Sequence, residues 1–256
     1  MRGFGVFCKK EIMELFRTYR AILLGGAAMI FGIMSPLIAK LTPWIMEQFS
    51  ESMQDQGIVI QKVTVTAKDS WMQFDKNFIL FLIIGIAVFS GSYVNEYSKG
   101  TLIPLVTKGL TRRAVVLSKL LIQLVAWTIY FALNFGITWG YTAYFWDNSV
   151  VKNYLWMGFF YWLTGVFLLT VVAFFSSFLG SPIQVLLGVA GVYILLNMLG
   201  MAKKIESFLP TRLLGSASLL SGETVPGDFA VASGITAGVS LILVLLAVTL
   251  TRRRKL

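Results

Sequence analysis

The chain has 256 residues, of which 57% are hydrophobic, and its formal net charge is +10. Soluble domains are about 45–50% apolar, so a soluble fold of this length could not bury so much apolar surface. The single cysteine, Cys8, excludes a disulfide framework within the chain. Because the sequence has no histidine and no Gly-Lys dipeptide, it lacks the usual zinc ligand and a phosphate-binding Walker A loop.

An amphipathic segment at residues 4–19 precedes the first long apolar run. Its apolar residues recur at helical spacing, and its charged residues occupy the other face. This pattern predicts a helix in the membrane interface, with its apolar side in lipid and its charged side toward the headgroups. The charged residues are Lys9, Lys10, Glu11, Glu14 and Arg17.

Six apolar segments are each long enough to cross about 30 Å of hydrocarbon, so the sequence predicts an all-α polytopic membrane protein with one transmembrane domain. The uncharged stretch 153–202 would be about 75 Å long as one helix, and we divide it at the turn Gly180-Ser181-Pro182. The predicted spans are 21–39, 77–95, 112–146, 153–180, 183–202 and 229–251.

Two polar segments separate these spans. Residues 40–76 are predicted to form a small cap, in which Thr42 and Pro43 begin a new helix as its N-cap and first residue. Residues 203–228 mix apolar and polar side chains with Gly and Pro, and we predict an irregular segment that partly re-enters the membrane.

The distribution of charge orients the chain. The regions before the first span, from 95 to 119 and after the last span together carry 14 basic and 3 acidic residues, whereas the rest carries 8 basic and 9 acidic residues. Because cytoplasmic loops are enriched in Lys and Arg, both termini are predicted to be cytoplasmic, and residues 40–76 and 203–228 external.

The cytoplasmic stretch 95–119 reads NEYSKGTLIPLVTKGLTRRAVVLSK. Gly100 and Gly109 bracket the apolar residues 102–106, which predicts a short helix between two loosened joints. Thr111 precedes a long apolar run and is predicted to cap the next helix. Such a segment is suited to contact a cytosolic partner, although a basic loop that only sets topology has a similar composition.

The pattern Glu96-x-x-x-Gly100-Thr101, followed by an apolar piece, then Arg112-Arg113 and Lys119, resembles the permease subunits of type-two ATP-binding-cassette (ABC) exporters. The layout of six spans with an amphipathic N-terminal helix extends the resemblance. It implies that residues 4–19 form an elbow helix and that residues 96–111 carry a coupling helix, which docks on a separate ATPase. The residues assigned to this coupling are Glu96, Gly100, Thr101, Leu102, Ile103, Leu105, Lys108, Gly109, Arg112 and Arg113.

The resemblance also implies the partners of the chain. ATP and Mg are expected in the ATPase, with no cofactor or metal bound by this chain and no catalysis by it. A second permease copy or a paralogue completes the pathway, in a bacterial plasma membrane. Membrane lipids are expected partners, and nucleic acid is not.

Two other function classes fit the sequence less well. A stand-alone secondary transporter or channel usually has ionisable residues in mid-span, and these spans have almost none. An intramembrane enzyme would need acid, base or metal ligands that the spans lack. The polar residues Gln123, Asn134 and Asn197 are predicted to form hydrogen bonds between helices rather than to contact substrate, and no substrate-binding residue is identified.

Overall fold

The computed structural model describes residues 2–54, 64–98, 100–101, 107 and 111–253. All regular structure in these residues is helical, which confirms the predicted all-α class, and six helices are long and apolar enough to cross a membrane. The α-helices are α1 (Arg2–Arg17), α2 (Arg20–Gln54), α3 (Ala67–Ser98), α4 (Arg112–Phe145), α5 (Tyr154–Ser176), α6 (Pro182–Gly200), α7 (Lys203–Glu206) and α8 (Ala230–Arg253). Short 3-10 helices lie at Asn148–Val150, Pro210–Leu220 and Pro226–Phe229.

Helix α2 continues without a break past residue 40, so the predicted new helix at Thr42 and Pro43 is wrong. Pro43 lies inside α2, and the Thr42 hydroxyl donates a hydrogen bond to the Ile38 carbonyl at 2.8 Å. Thr42 therefore bonds backward along a continuing helix instead of capping a new one.

A second proline inside α2 shows how the helix tolerates such residues. Pro36 has no N–H to donate to the Gly32 carbonyl, four residues earlier. The Thr138 hydroxyl of α4 lies 3.1 Å from that carbonyl and donates to it. A neighbouring helix thus satisfies the polar group that the proline leaves unpaired, as the membrane interior requires.

Helix α3 begins at Ala67 rather than near residue 77. The Thr66 N–H and hydroxyl both bond to the Asp69 carboxylate, at 2.7 and 2.8 Å, and this arrangement caps the first turn. The apolar run in the sequence marks the length that suits the hydrocarbon, whereas the cap marks where the helix starts.

Aromatic side chains form the core between α3, α4 and α5. The Trp127 ring is 2% exposed, and its indole N–H donates to the Trp162 carbonyl at 3.1 Å. The Phe78 and Tyr161 rings stack with their centroids 4.6 Å apart. Trp127 of the third span and Tyr161 of the fourth therefore serve helix packing.

The two ends of this bundle differ in their chemistry. We call the end where α3 finishes and α4 begins the basic end. At the opposite end, the segment Pro210–Leu220 packs on α5, with Leu213 and Leu219 fully buried. There the Tyr161 hydroxyl donates to the Asp75 carboxylate and lies 3.3 Å from the Leu214 carbonyl.

The contact between Trp127 and Gly165 provides a test of this packing. A Cβ added at Gly165 would overlap the Trp127 ring, whereas a Cβ at Gly136 would meet nothing within 4 Å. We expect Gly165→Ala to lower the free energy of unfolding by about 1–3 kcal/mol because the core is overpacked. Gly136→Ala, measured by the same unfolding titration in detergent micelles, should be neutral or slightly stabilising. Equal stability of the two variants would contradict the packing.

Candidate functional site

The motif Glu96-x-x-x-Gly100-Thr101 ends helix α3. Gly100 has φ +65°, a left-handed conformation that glycine adopts without steric cost. Its N–H donates to the Tyr97 carbonyl at 3.2 Å, and the Thr101 hydroxyl donates to the Glu96 carbonyl at 3.3 Å. These two bonds satisfy carbonyls that the helix end would leave unpaired. The glycine and the threonine of the motif are therefore helix-capping residues.

Thr111 begins helix α4 on the other side of the stretch. Its side-chain oxygen accepts a hydrogen bond from the Ala114 N–H at 3.3 Å, which confirms the predicted N-cap. Two capped helix ends thus bound residues 102–110. Of the predicted coupling residues, Leu102, Ile103, Leu105, Lys108 and Gly109 lie outside the described residues.

Next to these capped ends lies a group of six charged side chains, which we call the charge cluster. The Lys119 Nζ lies 2.8 and 2.9 Å from the two carboxylate oxygens of Glu11 and 3.1 Å from Glu96 Oε1. The Lys119 side chain has no exposed surface, and those of Glu11 and Glu96 are 5% and 9% exposed. The charge cluster consists of Lys10, Glu11, Glu14, Arg20, Glu96 and Lys119.

Lys10 of α1 contacts all three carboxylates of the charge cluster. Its ammonium contacts Glu96, lies 2.7 Å from Glu14 Oε2 and lies 3.0 Å from Glu11 Oε1. Burial raises the pKa of Glu14, but the hydrogen bond from Lys10 and the positive charges of Lys119, Lys10 and Arg20 outweigh burial and hold this pKa below its ordinary value. Glu14 is therefore ionised at neutral pH.

The charge cluster joins α1, α2, α3 and α4 in one electrostatic unit. Its three carboxylates face three cationic groups, so the formal charges cancel. Removing one partner from a buried pair typically costs about 3–5 kcal/mol, because the other charge is left uncompensated. Glu11, Glu14 and Glu96 each bring one oxygen within 4.8 Å of the others, but the ammonium groups of Lys10 and Lys119 already occupy that space, and we assign no metal to it.

The prediction that the charged face of α1 points to the headgroups is wrong for Glu11. Glu11 is 6% exposed and Phe7 is 3% exposed, and both face the bundle. Phe7 packs on Val115 of α4, and the ammonium groups of Lys10 and Lys119 lie 5.0 and 5.6 Å from the centre of its ring. The periodicity of α1 alone could not reveal this orientation, because Lys119 lies 108 residues away.

The remaining predicted coupling residues occupy the first turn of α4. Arg112 is partly buried and Arg113 is exposed. The ion-pair partners that the structure gives for Glu96 are Lys10 and Lys119. Because Glu96 lies near the low-dielectric end of a span, its sequence position predicts a basic partner. The two ion pairs confirm this prediction and unite α1, α3 and α4.

The three polar residues within spans differ in their hydrogen bonds. Asn134 donates to the Ala28 carbonyl of α2 at 3.3 Å, and Gln123 donates to the Phe89 carbonyl of α3 at 3.5 Å. The prediction of hydrogen bonds between helices is confirmed for these two. It is wrong for Asn197, which donates to the Tyr193 carbonyl of its own helix at 2.8 Å.

Comparison with known families covers nearly the whole chain. The family model described as "ABC-2 family transporter protein" matches residues 6–252, a range that includes the six long apolar helices and the charge cluster, although α1 is matched only from its second turn. Searches of the curated proteins and of the solved structures gave no significant match.

Lys119 provides the most direct test of the charge cluster. We expect Lys119→Met to lower the free energy of unfolding by about 3–5 kcal/mol, because Glu11 and Glu96 then lose their buried cation and share only the partly exposed ammonium of Lys10. Hydrogen exchange of the α1 amides should accelerate in the same variant. The matched control is Lys9→Met, which removes an exposed charge from α1 and should change neither quantity appreciably.

A second substitution distinguishes the loss of charge pairing from a general loss of folding stability. Adding Glu11→Gln to Lys119→Met removes one uncompensated carboxylate and should restore part of the lost stability. The charge cluster would have no structural role if Lys119→Met matched Lys9→Met in both measurements.

Proposed function

Because the chain belongs to the ABC-2 family transporter proteins, as the membrane-spanning permease subunit of an ABC transporter, we propose that it exports its substrate. Two permease subunits, identical or paralogous, form the pathway, and separate ATPase subunits dock on residues 96–111 and drive it. ATP and Mg bind to the ATPase. The permease itself catalyses no reaction, and it lies in a bacterial plasma membrane with both termini in the cytoplasm.

The observation that supports docking at this site is that a capped helix end lies on each side of residues 102–110. Gly100 and Thr101 end α3 on one side, and Thr111 begins α4 on the other. The charge cluster fixes the same two helices to each other and to α1. A movement of residues 102–110 would therefore be transmitted to spans that are held together at this end.

The side chains of the proposed coupling segment suit a groove on a protein partner. Leu102, Ile103 and Leu105 would enter the groove, and burial of each contributes roughly 1.5–3 kcal/mol. Gly100 and Gly109 would set the angle of the segment. Thr101, Lys108, Arg112 and Arg113 lie at its two ends, where they would orient it at the membrane surface.

The alternative of a secondary transporter or channel without an ATPase has less support. Such proteins usually place ionisable groups in mid-span. In the part of the chain that the structure describes, the buried ion pairs lie at the basic end. The family match also points to ATP-driven transport.

The double substitution Leu102→Ala with Leu105→Ala tests the proposed docking. We expect the variant to insert normally but to lose co-purification with the ATPase and transport-stimulated ATP hydrolysis, because two apolar anchors are removed. The control is Lys108→Ala, which should matter less because exposed charges contribute only about 0–1 kcal/mol. Glu96→Ala should likewise impair transport more than Lys99→Ala. If the double variant retained both properties at the wild-type level, residues 102–108 would not be the docking segment.

A further inference from the structure

The charge cluster continues one helical turn deeper into the bundle as a row of buried polar side chains. Glu96 and Tyr93 are three residues apart on α3, so they share one face of that helix. Lys119 and Gln123 are four residues apart on α4 and likewise share a face. Lys119 bonds to Glu96, and the Gln123 amide N–H donates to the Phe89 carbonyl at 3.5 Å. Tyr93 therefore lies between two contacts that join α3 to α4.

Three buried oxygen atoms in this row have no hydrogen-bond partner among the residues that the structure describes. They are Tyr93 Oη, Glu96 Oε2 and Gln123 Oε1, and their residues are 2%, 7% and 3% exposed. The Tyr93 hydroxyl is close enough to the Glu11 carboxylate to feel its negative charge, which places it on the side of the charge cluster. Buried polar atoms of this kind are costly unless a partner satisfies them.

The chemistry of the three atoms defines the partner that they need. A carboxylate oxygen and an amide oxygen are both acceptors, so Glu96 and Gln123 cannot pair through these atoms. The Gln123 amide is oriented by its N–H group, which donates to the Phe89 carbonyl. Tyr93 has one O–H, which can satisfy only one of the two acceptors. The set therefore needs a ligand that donates two hydrogen bonds and accepts one.

We propose that a water molecule is bound between α3 and α4 at this point. It donates one O–H to Glu96 Oε2 and the other to Gln123 Oε1, and it accepts the O–H of Tyr93. Buried waters typically make about three hydrogen bonds to groups that are otherwise unpaired. The inference rests on these side chains alone and does not depend on the ATPase or on the direction of transport.

The charge of the site favours water over a cation. The three carboxylates of the charge cluster already face three cationic groups, so no net negative charge remains to attract another cation. The Lys119 ammonium lies 3.1 Å from the other oxygen of Glu96 and would repel a second positive charge. A neutral ligand with two donors avoids this repulsion.

The bound water completes the environment of Glu96. Its Oε1 atom contacts the ammonium groups of Lys10 and Lys119, and its Oε2 atom accepts the hydrogen bond from the water. Helices α3 and α4 are thus joined at two successive levels, first by ion pairs and then by hydrogen bonds through the water.

Radiolytic hydroxyl-radical labelling of the purified full chain in detergent tests for the water. Radicals formed from a bound water modify the side chains beside it, even where bulk solvent has no access. We expect Tyr93 to be labelled several times faster than Tyr161, which is equally buried but bonds directly to Asp75. Gln123→Met removes one acceptor of the water and should lower the labelling rate of Tyr93 to that of Tyr161.

Thermal unfolding of Tyr93→Phe tests whether the hydroxyl is paired. We expect a lower Tm than in the wild type, because the variant removes a hydrogen bond and leaves the water short of a partner. Tyr144→Phe, at a side chain that is 81% exposed, is the matched control and should leave the Tm unchanged. When Tyr93→Phe and Gln123→Met are combined, the loss in Tm should be smaller than the sum of the two single losses, because both act on the same water.

Three results would overturn the proposal. The first is a labelling rate of Tyr93 no higher than that of Tyr161. The second is a Tm of Tyr93→Phe equal to or above that of the wild type, as removal of an unpaired hydroxyl would give. The third is additive losses from Tyr93→Phe and Gln123→Met, which would indicate that Tyr93 bonds directly to Glu96. Labelling of the wild type needs no variant, so the proposal stays testable if Gln123→Met does not fold.

Discussion

The ion pairs of the Lys119 ammonium hold together the helices at the basic end of the molecule. The ammonium lies between the carboxylates of Glu11 and Glu96, and so links α1, α3 and α4 at a point with no access to bulk solvent. A buried charge tolerates little displacement, because moving it away from its partners exposes it to an apolar environment that cannot solvate it. The two helix ends that bound residues 102–110 are therefore held in a fixed relation to each other and to the N-terminal helix.

The opposite end is joined by different means. There the segment Pro210–Leu220 is held by buried leucines and by the contacts of one hydroxyl, that of Tyr161, with Asp75 and Leu214. Between the two ends, aromatic packing around Trp127 fills the bundle. The network of paired charges therefore lies at the end of the bundle that carries the proposed docking segment.

The sequence predicts most features that arise from local chemistry. The spans follow from runs of apolar residues, the cap at Thr111 from its hydroxyl before such a run, and the need of Glu96 for a basic partner from its place at the end of a span. Each of these depends on neighbours in the chain, and each is present in the structure.

The features that the sequence could not predict depend on distant partners. Glu11 belongs to the polar face of α1, and its contact with Lys119 of a distant helix explains why its side chain turns inward. A proline after a threonine is typical of a helix start, but in α2 the helix continues, and Thr138 from another helix supplies the hydrogen bond that Pro36 cannot give. In both cases a tertiary interaction overrides a valid local rule.

The proposed function requires the segment between the two capped helix ends to contact the ATPase. A photo-crosslinking amino acid placed at Thr107 tests this contact, with the same amino acid at Ser149 of the opposite end as the control, in membranes that contain the permease and an ABC ATPase that co-purifies with it. We expect Thr107 to crosslink to the ATPase and Ser149 not to. Crosslinking from Ser149 alone, or from neither position when the two proteins co-purify, would overturn the proposed docking.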